Sequence, residues 1–106
     1  MFTPPLALAS LSGEADAAWA EAGSEWAGCA VLGGVSLDEP TREAARELVA
    51  RDRSEFLPAD PIAFIDAQLA ILDETDLRAG VNVRTTSIDP LREAAGVAAD
   101  HDAILE

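Results

Sequence analysis

Few residues in this chain combine useful chemistry with a placement that could act on a ligand. Arg84 is the foremost. It closes the run Gly80-Val-Asn-Val-Arg84, which is otherwise uncharged. A guanidinium there can donate to a bound anion or to the polar ring atoms of a cofactor. The alternative is a pair with an acid of the next loop. Asn82, two residues earlier, shares that face of an extended run. It either lines an interior or satisfies one buried hydrogen bond. Ser10 and Ser12 follow the apolar run Leu6-Ala-Leu-Ala9. Their hydroxyls can contact a ligand, and Ser12 can instead cap the helix after it. Gly33-Gly34 either lets a ligand approach the backbone or makes a tight turn. Cys29 opens an apolar run with no His near it in sequence, which reads as a core thiol and not a nucleophile. His101 is the one histidine. It falls in a short connection and reads as a surface residue. No carboxylate pair, His or Cys stands beside Arg84 to move protons or attack a substrate.

The elements that must position these residues alternate. Leu6–Ser10 reads as a first buried strand. Ala15 to Ala22 reads as a helix, with Ser12 as its N-cap and Gly23 as its stop. Trp19 and Trp26 are expected to pack on the sheet. The glycine-flanked run 27–34 has the length of a strand covered on both faces. Asp38-Glu39-Pro40 opens a helix to about Arg53, with Pro40 in its first turn. Arg42, Arg46, Arg51 and Arg53 alternate there with acids, the pattern of a solvated face. Asp60-Pro61 opens another helix, whose stripe Ile62, Ile65, Leu69 and Leu72 has helical spacing. Gly80 to Thr86 is a β-branched third strand. Ser87 to Pro90 caps a helix to about Ala99, and 102–106 reads as a fourth strand. The order is β-α-β-αα-β-α-β, which implies parallel strands joined by right-handed crossovers.

Composition sets bounds. The chain has 106 residues, room for one small domain. Its 20 acidic residues face 7 basic ones, all Arg, for a net charge of −13. No basic stripe offers the phosphate contacts of non-specific nucleic-acid binding. Spread acids with no Lys suit a protein working in high salt, where charge is screened over about 3 Å at about 1 M; the rival reading is an acidic surface for a basic partner. No run approaches the roughly 18 apolar residues of a membrane span, and the N-terminus has no basic region before its apolar run. A cytoplasmic location and no membrane partner are expected. One Cys excludes a disulfide framework.

Two architectures fit the alternation: the first half of a (β/α)8 TIM barrel, or part of an open doubly wound sheet. The open sheet often carries a Gly-rich phosphate loop after its first strand. Leu11-Ser-Gly-Glu14 has a single Gly and an acid, so the barrel is favoured. Residues 1–106 are then expected to be one N-terminal half-barrel segment of a larger domain, broken off at the fourth strand. In either architecture, ligands meet the C-terminal strand ends, here Ser10-Leu-Ser12, Leu32-Gly-Gly34, Arg84-Thr-Thr86 and Glu106.

Two of those ends carry a resemblance. Ala9-Ser-Leu-Ser-Gly-Glu-Ala-Asp-Ala-Ala-Trp19 is similar to the first strand and helix of tRNA-dihydrouridine synthases, Ala-Pro-Met-x-Gly-x-x-Asp-x-x-Phe. Val81-Asn-Val-Arg84, followed by Asp89-Pro90, resembles that family's Val-x-Val-Gln and Asp-Pro. The chain departs from the pattern where Ser10-Leu11 stands for Pro-Met, Arg84 for Gln, and the region of Gly33 for a Glu. Such changes look like those of a divergent archaeal branch. The resemblance implies an FMN-binding barrel that passes hydride between flavin and a uracil-type ring, with NAD(P)H as reductant. It places Ser10, Leu11, Ser12 and Arg84 against the cofactor. Its substrate would be tRNA or a free pyrimidine. Its catalytic Cys and phosphate grip would lie beyond Glu106, in the remainder of the barrel, so these residues alone are expected to be inactive. Dihydroorotate and dihydropyrimidine dehydrogenases share that barrel and cofactor and are close rivals. From another class, the chain could be a non-catalytic acidic α/β interaction module.

Overall fold

The computed structural model describes residues 6–8, 16–46 and 59–106. Its elements are β1 (Ala7–Leu8), α1 (Ala17–Ala22), β2 (Cys29–Ser36), α2 (Glu39–Ala45), α3 (Pro61–Leu72), β3 (Arg78–Arg84), α4 (Ile88–Asp100) and β4 (Ile104–Leu105). The order anticipated from the sequence is the order observed. All strand pairs are parallel, in one four-stranded sheet whose spatial order, β1-β2-β3-β4, is the chain order.

Every crossover therefore steps the same way across the sheet, and crossovers of one hand then send their helices to one face. α1 packs beside α3, and α3 beside α4. The core lies between these helices and the sheet. Ala30, Leu32 and Val35 of β2 and Ala79 and Val81 of β3 form one buried cluster with Ala17, Ala20, Ile65, Leu69, Leu72 and Ala94. Of the expected α3 stripe, Ile65, Leu69 and Leu72 are buried, and Ile62 packs at its margin. Burying each such side chain contributes about 1.5–3 kcal/mol. The small Ala residues let helix and strand backbones approach closely.

The helix starts follow cap chemistry. Asp38 accepts from Thr41 N, and Asp60 from Ala63 N, each followed by Pro in the first turn. α1 begins differently from expectation: Asp16, not Ser12, is its N-cap and accepts from Trp19 N at 2.8 Å. Ser12 lies outside the described residues. Ser87 is the N-cap of α4 but makes no side-chain cap bond. Arg42 and Arg46 pair with Glu39 on the outside of α2, as a solvated face requires; Arg51 and Arg53 lie outside the described residues.

Three further expectations need correction. Trp19 packs on the core, but Trp26 is 66% exposed, in the turn after α1. β2 runs two residues further than anticipated, to Ser36, so Gly33-Gly34 is not its end. The register shows why: pairing steps from Leu32↔Val81 to Val35↔Val83, so the two glycines face the single residue Asn82. This is a β-bulge, and residues without side chains accommodate its kink and carry the strand onward. β3 begins two residues earlier than anticipated, at Arg78.

The second face of the sheet, opposite the three helices, is graded along the strands. Toward the N-terminal ends it carries Val31, Gly80 and Ile104, with Arg78 beside Cys29 at the rim. Toward the C-terminal ends it carries Ser36, Asn82, Arg84 and Glu106. Gly80 permits the close approach in the apolar half. A Cβ there would lie 3.3 Å from both the Ile104 carbonyl oxygen and Val31 Cγ2.

Candidate ligand site at the C-terminal end of the sheet

Side chains of paired residues in a parallel sheet point the same way, so register alone assembles the site. Ser36 pairs with Arg84. Asn82 stands opposite Glu106, because Gly80 and Val81 pair with Ile104 and Leu105. Glu106 extends the ladder: its N–H donates to the Val81 carbonyl and its own carbonyl accepts from Val83 N, both at 2.9 Å. Asn82 Nδ2 donates to Glu106 Oε1 at 3.1 Å. The half-buried Asn82 thus makes a cross-strand hydrogen bond and shares the second face with Arg84. Arg84 is exposed at the strand end.

Ser36 is the residue that sequence reading missed. It is fully buried, and its Oγ has no hydrogen-bond partner. A buried hydroxyl without a partner is unfavourable by roughly 1–3 kcal/mol. The bulge at Gly33-Gly34 hid it: a strand ending at Gly34 leaves Ser36 in a loop, whereas a bulged strand carries it to the level of Arg84. Only the short spacing from Ser36 to the helix cap at Asp38 hinted that the strand continues.

A second cluster locks the rim of this site. Thr41 N and Thr41 Oγ1 donate to Asp38 Oδ1 at 3.1 and 2.7 Å. Thr85 Oγ1, Thr86 N and Thr86 Oγ1 donate to Asp38 Oδ2 at 3.0, 2.6 and 2.7 Å. One carboxylate therefore caps α2 and ties the β2–α2 connection to the β3–α4 connection. The Thr41 hydroxyl, followed by the Thr86 amide and hydroxyl and the Thr41 amide, outweighs partial burial and holds the Asp38 carboxyl well below the usual carboxylate range. Leu37 N adds a 2.9 Å bond to the Arg84 carbonyl. The loop that presents Arg84 is thereby fixed to the end of β2.

Of the residues expected at a cofactor, Arg84 takes its place at this end of the second face. Ser10, Leu11 and Ser12 lie outside the described residues. Cys29 is buried, as a core thiol should be. Burial pushes its thiol up, with Arg78 pulling part of the way back. Among the described residues no group of three or more His, Cys, Asp and Glu is arranged to hold a metal ion. No helix among them is long and apolar enough to cross a membrane.

No protein-family model, curated protein or solved structure matches this chain. Its chemistry has to be read from the site itself: donors from Arg84 and Asn82, acceptors from Asn82 and Glu106, and the Ser36 hydroxyl able to do either. A planar ring edge that alternates carbonyl and N–H groups, such as an imide, meets both kinds of partner in that set.

Proposed function

We propose that this chain is one wall of a flavin site, forming the first four strands of a (β/α)8 barrel whose whole protein is an FMN-dependent oxidoreductase of the tRNA-dihydrouridine synthase type. The observation that carries the reading is the sheet: four parallel strands in sequential order, with α1, α3 and α4 in contact along one face. Open doubly wound sheets reverse strand order at a switch point where the ligand binds; this sheet has no reversal among its described strands. A barrel keeps the sequential order and turns the second face inward, with ligands at the C-terminal ends. On that face the small apolar layer of Val31, Gly80 and Ile104 lies between the Arg78 rim and the polar end of Ser36, Asn82, Arg84 and Glu106, which suits a packed interior below a polar mouth.

The residues fit the cofactor. The pyrimidine edge of a flavin carries two carbonyls flanking an N–H. Arg84 and Asn82 would donate to the carbonyls, and Glu106 or Asn82 Oδ1 would accept from the N–H. The partnerless Ser36 Oγ would gain a partner on the same face. FMN, when bound, supplies hydride transfer to and from a uracil-type ring, in tRNA or free. The chain's own part is to hold the ring edge and exclude water beneath it. Asp38 would keep the Arg84 loop in position.

The test is purification of the protein at its natural length and a scan for bound-flavin absorbance in the visible. Yellow protein, with Arg84→Ala and Asn82→Ala each weakening FMN binding about tenfold, as loss of one hydrogen bond to a polar ring would, supports the assignment. Colourless protein that takes up no added FMN overturns it.

A second reading, a non-catalytic acidic interaction module, is favoured by β4. Its hydrogen-bonded neighbour among the described strands is β3 alone, and Ile104 is 41% exposed. Such an edge can accept a further strand. Size-exclusion chromatography of the chain in molar salt separates the two: a cooperatively folded, monodisperse species favours the module.

A further inference from the structure

We propose that His101 is a proton-operated clamp that holds α3 to the α4–β4 turn. The imidazole lies between two carboxylates of α3. Its Nε2 is 2.7 Å from Asp66 Oδ1, and its Nδ1 is 2.5 Å from Asp73 Oδ2. Asp66 and Asp73, the C-cap of α3, are seven residues apart, two helical turns, and so share one face. The histidine side chain is 13% exposed.

The geometry specifies the charge. Neutral imidazole has one N–H and one lone pair. Set between two carboxylates, it would aim the lone pair at an anion. Only imidazolium donates from both nitrogens, so closure of both contacts requires the second proton. The Asp66 hydrogen bond, then that of Asp73, favours this charged form and raises the His101 pKa above its ordinary value, against a smaller effect of burial. The surrounding charges do not compete. Arg78 of β3 faces Asp102, with its Nη1 at 3.0 Å, and Asp100 is exposed.

The arrangement suits neither catalysis nor metal binding. Both ring nitrogens are engaged on opposite edges, so none is left for a substrate, and the two carboxylates cannot join one ring nitrogen on a single ion. The turn itself is held by backbone bonds. Asp102 takes a left-handed conformation (φ 52°), and Ala103 N donates to the Ala98 carbonyl at 2.8 Å. His101 is therefore fixed at the end of α4, and its side chain carries the link to α3. Loss of one proton leaves a single N–H for two carboxylates. One contact opens, and the last turn of α3 is released from α4. The imidazole is shielded but both carboxylates are exposed, so high salt weakens the clamp in part.

As the chain holds one histidine, its imidazole signals in an NMR titration are unambiguous. The expected midpoint lies above the ordinary value of about 6.5, and Asp66→Asn and Asp73→Asn each lower it. Across that midpoint, amide hydrogen exchange in the last turn of α3 and at residues 101–103 should rise several-fold beyond its intrinsic pH dependence, with β2 and β3 unchanged. A midpoint at or below the ordinary value, or exchange that ignores the titration, overturns the clamp. The two Asn variants are isosteric and retain His101, so the test does not depend on a histidine replacement that folds.

Discussion

The two ends of this sheet each hold a carboxylate cluster, and they are built on opposite principles. At the C-terminal end, Asp38 is held by neutral donors, three threonines and two backbone amides. At the N-terminal end, Asp66 and Asp73 are held by one ionisable ring. Neutral donors keep their protons throughout the range in which proteins work, so the first cluster responds only when the carboxylate itself is protonated. The second responds when the imidazole loses a proton. The difference fits their positions. The rim that presents Arg84 stays locked at every pH above the carboxylate range, whereas the join between α3 and α4 on the far side can open.

The largest effect should come from removing what both ends share. Leu69→Ala empties a fully buried position between α3 and the sheet and should cost about 2–5 kcal/mol. Chemical denaturation should show both clusters failing in one transition. Separate transitions would mean that the ends are not joined by one core.

Next comes Asp38→Ala, which leaves the donors of two loops without their acceptor. We expect a melting temperature several degrees lower, by the same amount from pH 5 to 9. Because the folded pKa of Asp38 is depressed, its contribution is present above the ordinary carboxylate value of about 3.9. It is lost as pH falls below that value toward the folded one. The difference between variant and parent should therefore shrink only in acid. A difference that shrinks toward alkaline pH would break the contrast.

His101→Gln should act in the opposite sense and more weakly, by about 1 kcal/mol at pH 6. A raised folded pKa means that the contribution is complete below about 6.5 and is lost as pH rises through the folded value. Melting curves of parent and variant should converge on the alkaline side. Parallel curves at all pH values would show that His101 packs without clamping.

The smallest effect belongs to Arg78→Ala. Its pair with Asp102 is exposed at 3.0 Å, and such pairs contribute within about 0.5 kcal/mol. A larger loss would show that the N-terminal end is held by more than the imidazole.

Much of this was legible in the residues. Asp38 and Asp60, each ahead of a proline, mark helix starts because an acceptor side chain and a preset φ suit a first turn and little else. The stripe Ile65, Leu69 and Leu72 marks the buried face of α3 because helical spacing admits one interpretation. Arg84 reads as a strand-end residue because nothing charged precedes it in its run. The misread positions have a common cause. Ser36 became visible only once the bulge at Gly33-Gly34 shifted the register, and glycines signal a turn and a bulge equally well. His101 looked like a surface residue because its partners lie 28 and 35 positions earlier. Trp26 was expected to pack on the sheet, yet it lies exposed in the turn after α1.

By itself, then, the sequence determined the alternation of strands and helices, their order, most caps and the face of α3 that is buried. Those follow from periodicity and local hydrogen bonding, which act within a few residues of the chain. Only the tertiary structure decided which side chains meet: Ser36 beside Arg84, Asn82 on Glu106, Asp38 on the Thr85–Thr86 loop, and His101 between Asp66 and Asp73. Strand register and helix packing set those meetings, and both depend on residues far apart in sequence.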